Sequence, residues 1–200
     1  MTPAGAPFRP RSAWRRGIVV LGAAALAGCV TAPSPLRPTD RETLRDDAFE
    51  VSGRLSARRG SEGAAASFRW THRPERDELL LSTPLGSTLA RLEGGAGDVR
   101  LELPDGRVSR ATDWEALTAN VLGAPLPVRG LAWWVQGIPH PGSAHAIERD
   151  AVQRASVLRQ DGWEIVYGYK DDSLRPSRLR LAYPDTEIRL VLDNWTDPVR

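Results

Sequence analysis

An alternation of apolar and polar residues near position 50 constrains the fold more than any other stretch of this chain. Every second residue from Phe49 to Ala57 is apolar or Gly, and the residues between them are charged or carry a hydroxyl. A period of two with one apolar side is typical of a half-buried β-strand. The segment therefore predicts a sheet with one packed face and one face in water.

The same pattern returns along the chain and predicts an antiparallel meander. After a turn at 60–63, small apolar residues and then Phe68 and Trp70 alternate with polar ones. Further short strands are predicted at 78–82, 88–93, 99–103, 108–111, 146–149, 155–159, 163–169, 177–181 and 188–193. Gly, Pro and Asp-Gly between such segments are typical of tight turns. Ten or so strands curl into a barrel more readily than they stay flat.

Two helices are predicted in the middle of the chain. The segment 112–122 opens with Thr112 and Glu115 at the spacing of a capping box. A second helix is predicted over 127–136, with Pro in its first turn and Gly after its end. Its apolar face has helical spacing and consists of Leu131, Trp134 and Val135. We predict a mainly β fold with helices (α+β), in which a single antiparallel incomplete barrel has a helical lid.

The N-terminal residues have the features of a lipoprotein signal peptide. Four Arg precede an apolar run at 17–27, which is shorter than the roughly 20 residues that span a bilayer. A basic region, an apolar region and small residues describe a secretory signal peptide. Leu26-Ala27-Gly28-Cys29 resembles the bacterial lipobox, in which the Cys is acylated and becomes the new N-terminus. Because Cys29 is the only cysteine, lipidation explains it better than a chance thiol at the cleavage site.

These features predict three segments. They are a lipoprotein signal peptide at 1–28, a lipidated Cys with a Pro-rich tether at 29–39, and a half-barrel domain at 40–200. Val30 follows Cys29, whereas Asp at that position retains lipoproteins in the inner membrane of diderm bacteria, so the outer membrane is predicted. The net charge of +2 includes four Arg of the signal peptide, and removal of that peptide makes the charge −2. A nucleic-acid partner is therefore not expected.

The sequence offers little catalytic chemistry. His140 and His145 flank a Pro-Gly-Ser-Ala loop, and the only cysteine is the predicted lipidation site, so a solvated loop is favoured over a zinc site. No Ser lies in a Gly-x-Ser-x-Gly elbow, and no Gly-rich loop joins a strand to a helix. We predict that the chain is not an enzyme and takes no metal or cofactor.

The aromatic content leaves two interpretations of the interior open. Six Trp lie after the signal peptide, and they could fill the core of a small barrel. Alternatively, a half-barrel with a lid could enclose a dry cavity for an apolar ligand. If there is such a cavity, the apolar faces of the strands and of the second helix predict the residues of its wall. They are Trp70, Leu81, Leu89 and Trp134.

The segment 82–88 predicts a turn with an apolar tip. Thr83, Pro84 and Gly86 suit positions i, i+1 and i+3 of a type I turn, which places Leu85 at the apex. The residues alone favour a Leu85 that folds back onto the sheet. An exposed Leu85 would instead indicate contact with a membrane or an apolar partner.

Several short motifs together resemble one family. They occur in this order: Ser52-Gly53-Arg54, Phe68-Arg69-Trp70, Pro84-Leu85-Gly86-Ser87-Thr88, Leu131 with Trp134, Gly137-Ile138-Pro139, Gly162-Trp163 leading to Tyr167, and Asp193-Asn194-Trp195. With the lipobox, they resemble the LolB family of outer-membrane lipoproteins over the whole mature chain. The resemblance implies an incomplete antiparallel barrel closed by helices over a hydrophobic cavity. It also implies an exposed Leu85, in a loop with Pro84 and Gly86 that delivers cargo to the membrane.

The resemblance further implies a function without covalent chemistry. A lipid-anchored monomer facing the periplasm would accept acylated lipoproteins from a LolA-like periplasmic carrier into its cavity and insert them into the outer membrane. The alternative is a structural envelope lipoprotein whose packed barrel acts as a scaffold. A lipid hydrolase is a third interpretation, but it lacks a nucleophile–base pair.

Overall fold

The computed structural model describes residues 47–122 and 126–196. The predicted signal peptide, Cys29 and the tether lie outside the described residues. Within the described part, no helix is both long enough and apolar enough to cross a bilayer.

Eleven strands form one antiparallel sheet, which confirms the predicted meander. They are β1 (Phe49–Arg59), β2 (Glu62–Arg73), β3 (Arg76–Ser82), β4 (Thr88–Gly95), β5 (Asp98–Glu102), β6 (Val108–Ala111), β7 (His145–Arg149), β8 (Ala155–Gln160), β9 (Trp163–Tyr169), β10 (Pro176–Tyr183) and β11 (Thr186–Thr196). Along the sheet they lie in the order β6-β5-β4-β3-β2-β1-β11-β10-β9-β8-β7. No ladder of the described residues joins β6 to β7, so the sheet is open and the incomplete barrel is confirmed.

One face of the sheet carries the core. Val51, Trp70, Leu79, Leu92 and Leu101 lie opposite one another across the five strands from β1 to β5. Because side chains alternate between faces, these residues define an inner face, and the charged residues between them define an outer face. On the other side of β1, the inner face continues through Leu55, Leu190, Leu179 and Tyr167.

A bulge at Gly53 interrupts the pairing of β1 with β11. The register shifts between Ser52 and Gly53. A Cβ on Gly53 would lie 1.9 Å from the carbonyl oxygen of Val191, so no larger residue fits this backbone. Bulges bend strands and increase their twist, which suits a sheet that curls around its inner face.

Two helices connect the edge strands. They are α1 (Trp114–Leu122) and α2 (Val128–Trp134). Helix α1 packs against β5 and β6, while α2 contacts α1 and is hydrogen-bonded through its last residue to β8. The predicted capping residue of α1 was wrong by one position. Asp113 rather than Thr112 caps this helix, because its Oδ1 accepts the amide of Ala116 at 2.7 Å.

All turns alternate between the two ends of the sheet. The β1–β2, β3–β4, β5–β6, β8–β9 and β10–β11 turns lie at one end, which we call the Leu85 end. The turns at 150–154 and 170–175 lie at the opposite end.

Candidate functional site

Trp70 lies at the centre of the buried part of the inner face. Its side chain is buried, and its Nε1 donates a hydrogen bond to Oδ1 of Asp77 at 2.7 Å. Nδ1 of His72 lies 2.8 Å from the same oxygen, and Phe49 packs edge-on against the Trp70 ring. A buried indole N–H must find an acceptor, and here Asp77 supplies it. Trp70 is thus a fixed part of the core rather than a mobile wall.

On β1 the inner face is less covered toward the Leu85 end. At the opposite end, Phe49 and Val51 of β1 are at most 1% exposed. Toward the Leu85 end of the same strand, Leu55 and Ala57 are only half-buried. Other half-buried apolar residues pack against the core across the fold, namely Leu79, Leu81, Leu103, Ala111, Leu126, Leu131, Trp133, Ile147, Tyr169 and Trp195. Leu55 and Ala57 of β1 and Leu81 of β3 lie on the inner face toward the Leu85 end, and we call these half-buried residues the open inner surface.

Leu81 and Leu89, both predicted to line the cavity wall, lie in different environments. Leu81 pairs with Phe68 and Ala90, so it lies on the inner face and belongs to the open inner surface. Leu89 is 40% exposed and is not part of the core cluster. Leu81 pairs with Ala90 and the next residue, Ser82, pairs with Thr88. Leu89 therefore has no partner in β3 and lies in a β-bulge. Strict alternation fails there, which is why the sequence pattern could not place Leu89.

Trp134 anchors helix α2 over the sheet. The side chain is fully buried, and its Nε1 donates to Oε1 of Gln160 at 2.8 Å. The same oxygen accepts the amide of His140 at 3.0 Å, and Nε2 of Gln160 donates to the carbonyl of His140 at 2.8 Å and to Oγ of Ser143 at 2.9 Å. Gln160 therefore fixes both α2 and the following loop to the end of β8.

The predicted turn at the tip is confirmed. The amide of Gly86 donates to the carbonyl of Thr83 at 2.9 Å, and the amide of Ser87 donates to Oγ1 of Thr83 at 3.1 Å. Gly86 has φ +89°, a conformation that L side chains rarely adopt. Leu85 is 96% exposed, so it projects from the turn and does not fold back onto the sheet.

The polar groups around the inner face are structural. His140 pairs through Nε2 with Asp161, and Ser143 Oγ approaches the same nitrogen at 3.4 Å. In a catalytic triad the acid and the Ser bind opposite nitrogens of the His, so this is not that arrangement. Burial raises the pKa of Tyr167 well above its usual value of 10, and its hydroxyl finds no partner among the described residues. The half-buried apolar residues of the inner face can hold apolar chains, and the polar groups beside them hold the fold together.

Sequence reasoning missed several residues of the site. Leu55, Ala57 and Leu79 belong to predicted strands, yet alternation alone does not distinguish half-buried from buried positions. Asp77 and Gln160 are buried polar residues whose partners are known only from the fold. The one sequence signal for Gln160 is its place two residues after Leu158, which puts a polar side chain at an inward position of β8.

The family model described as "Outer membrane lipoprotein LolB" matches residues 47–195. "Outer-membrane lipoprotein LolB" of Chromobacterium violaceum is 37% identical over 185 residues, which cover 90% of this chain and 98% of that protein. The protein of the same description from Thiobacillus denitrificans is 38% identical over 181 residues, covering 90% and 97%.

A solved structure adds a likeness of fold alone. It is that of a DUF1329 family protein from Desulfovibrio piger, which is 9% identical with a TM-score of 0.53. The match covers 80% of this chain and 90% of that one.

Proposed function

Because the chain belongs to the LolB family of outer-membrane lipoproteins, we propose that it receives acylated lipoproteins on its open inner surface and inserts them into the outer membrane. The chain is therefore a lipid-anchored protein of the lipoprotein-localisation system, faces the periplasm and is not an enzyme. In this proposal residues 1–28 are removed, Cys29 is acylated, 29–39 form a tether and 40–200 form the working domain. A LolA-like periplasmic carrier supplies the cargo to a monomer.

One observation supports this proposal above the others. On β1 and β2 the inner face is less covered toward the end of the sheet from which Leu85 projects. Acyl chains held against Leu55, Ala57 and Leu81 would therefore leave toward the end that carries the exposed tip. In this proposal the buried Trp70 and Trp134 are fixed supports of the open inner surface and do not contact the acyl chains.

Transfer of the acyl chains in this proposal requires no ATP hydrolysis. Burial of apolar surface contributes about 25 cal/mol per Å² in the carrier and in this protein, so the two sites nearly cancel. A difference of about 1.4 kcal/mol biases the transfer tenfold. The final step into the bilayer is favourable because acyl chains are buried completely there.

The proposal predicts that Leu85→Glu separates the two steps of transfer. Leu85 makes no packed contact to lose, so the variant should melt within about 1–2 °C of the wild type. It should accept a labelled lipoprotein from the carrier normally, but should insert it poorly into vesicles, because a charged tip resists the headgroup region. The assay follows both steps with the lipidated full-length protein.

A matched control is available at the other end of the sheet. Leu174 is 44% exposed in the turn at 170–175, so Leu174→Glu adds the same charge far from the tip and should leave both steps unchanged. Undiminished insertion by Leu85→Glu would remove the tip from the mechanism. Strong destabilisation would return Leu85 to a packing role.

A further inference from the structure

Exposed apolar side chains at the Leu85 end include residues of the neighbouring hairpin as well as Leu85. Leu85, Leu89 and Val108 are 96%, 40% and 45% exposed. The first two lie in and just after the β3–β4 turn, and Val108 opens β6 after the adjacent β5–β6 turn. Large apolar side chains exposed together at one end of a sheet indicate an interaction surface.

A small depression lies on the outer face between these turns. Its volume is about 270 Å³, and its walls include Thr88, Arg91, Glu102, Leu103 and Pro104. Thr88 is three residues from Leu85, so the depression adjoins the tip. Its wall carries the two cations Arg91 and Arg100, the carboxylate of Glu102, the Thr88 hydroxyl and apolar groups. Arg side chains beside apolar groups suit the headgroup level of a membrane.

Arg91 is the uncompensated charge of this depression. Glu102 lies opposite Arg91 in the ladder, but its Oε2 accepts Nη2 of Arg100 at 2.6 Å. Glu93, the next acid on this face, binds Arg100 at 2.8 Å and Arg76 at 3.1 Å. Arg91 therefore has no carboxylate partner among the described residues.

A second cation lies close by. Arg110 is opposite Arg100 in the β5–β6 ladder, and it too has no carboxylate partner in the described part of the chain. Elsewhere on the outer face many Arg are paired, for example Arg54 with Asp193, Arg159 with Glu148, and Arg189 with Glu187. The area beside the tip thus attracts anions, while much of the outer face is balanced.

We propose that the depression beside the β3–β4 turn binds the phosphate of a bilayer phospholipid, with Arg91 as the ligand and Thr88 as an additional donor. This inference rests on the proposed function, because it concerns the membrane that Leu85 enters. The guanidinium fork matches two phosphate oxygens, and the apolar wall meets the glycerol region of the same lipid. The contact would orient the tip and hold the inner surface open toward the bilayer during delivery.

The test compares two kinds of vesicle that carry no net charge. Phosphatidylcholine has a phosphate and digalactosyldiacylglycerol has none, so their comparison isolates the phosphate. We expect Arg91→Gln in the lipidated full-length protein to lower the rate of cargo insertion about three- to fivefold in phosphatidylcholine, the size of one solvent-exposed ion pair. In the galactolipid the variant and the wild type should insert cargo at the same rate.

The matched control is Arg178→Gln. Arg178 is an exposed Arg of β10 that also lacks a carboxylate partner among the described residues, and it lies five strands from β4, roughly 24 Å along the sheet. It should behave as the wild type in both vesicles. Both variants remove exposed, unpaired side chains, so neither should change the melting temperature.

The outcomes separate this inference from the function on which it rests. If the wild type inserts no cargo into either vesicle, the proposed function fails. If the wild type is active and Arg91→Gln matches it in phosphatidylcholine, the phosphate site is wrong. An equal loss in both vesicles, or a loss already at uptake from the carrier, would assign Arg91 to a protein contact and would also overturn the phosphate site.

Discussion

At the scale of single residues, the fold depends on a few buried polar groups whose partners are unique. Asp77 accepts from Trp70 and lies 2.8 Å from Nδ1 of His72, and all three side chains are buried. An unsatisfied buried donor costs about 1–3 kcal/mol. The conformation of the largest residue in β2 is therefore determined by one carboxylate.

We predict that Asp77→Ala destabilises the domain by about 2–5 kcal/mol, because it orphans both donors at once. The melting temperature should fall by about 5–15 °C. Asp98→Ala is the control, since Asp98 is exposed and has no partner among the described residues. Equal melting of the two variants would show that the Asp77 contacts contribute nothing.

Removal of the Tyr167 hydroxyl should have the opposite effect on stability. Its buried hydroxyl lacks a partner in the described residues, so Tyr167→Phe should raise the stability by about 1 kcal/mol near pH 7. Burial raises the pKa of Tyr167 in the folded state, and the unfolded chain ionises first as the pH passes about 10. Tyr167 therefore makes the wild type lose stability above pH 10, through the interval up to the folded pKa.

Denaturant melts of both proteins at pH 7 and above pH 10 check this. The advantage of Tyr167→Phe should grow at the higher pH. A pH-independent difference, or a loss of stability on removal of the hydroxyl, would mean that the Tyr167 hydroxyl is satisfied in solution.

At the scale of elements, α2 is held by one hydrogen-bonded residue at its C-terminal end. Gln160 binds Trp134, the backbone of His140 and Ser143 from the last position of β8. The helix has only seven residues, too few to be stable without tertiary contacts. Its position over the inner face therefore depends on this contact.

We predict that Gln160→Leu loosens α2 while the sheet persists. Amide hydrogen exchange should increase in 128–136 by more than tenfold, the effect of about 1.4 kcal/mol or more. Exchange in β1 and β2 should change much less. Gln153, in the turn at the opposite end, serves as a control through Gln153→Leu. Uniform acceleration over the whole domain would show that α2 and the sheet open as one unit.

The elements that the sequence predicted are those with a strong local pattern. The alternation of β1 and β2 and the Thr83–Gly86 turn each follow from neighbouring residues, and the structure confirms them. Leu89 was misplaced because a bulge breaks the period of two, and a bulge depends on the partner strand. The contact between Trp134 and Gln160 joins residues 26 positions apart, so no local rule could have identified it.

At the scale of the whole molecule, the open sheet gives the inner face two different regions. Toward the end opposite Leu85, the apolar layer over β1 and β2 is sealed around Phe49 and Trp70. Toward the Leu85 end of these strands and of β3, Leu55, Ala57 and Leu81 are left partly exposed. The fold class was predictable because many half-buried strands must curl. The position of the opening was not, because it depends on where the helices cover the sheet.

We have proposed that acyl chains lie on the open inner surface, and alternation in β3 provides a sharp test of that placement. Leu81 faces inward, whereas Leu80 pairs with Arg69 and Arg91 on the outer face. A photo-crosslinking residue placed at Leu81 or at Leu80 therefore samples opposite faces from adjacent positions. Each variant receives an acylated lipoprotein from the carrier, or the same lipoprotein without its acyl chains, and is then irradiated.

We predict that position 81 crosslinks to the acylated cargo and that position 80 does not, and that removal of the acyl chains abolishes the crosslink. Equal crosslinking at both positions, or crosslinking at position 81 that does not depend on the acyl chains, would show that the acyl chains do not lie on the open inner surface.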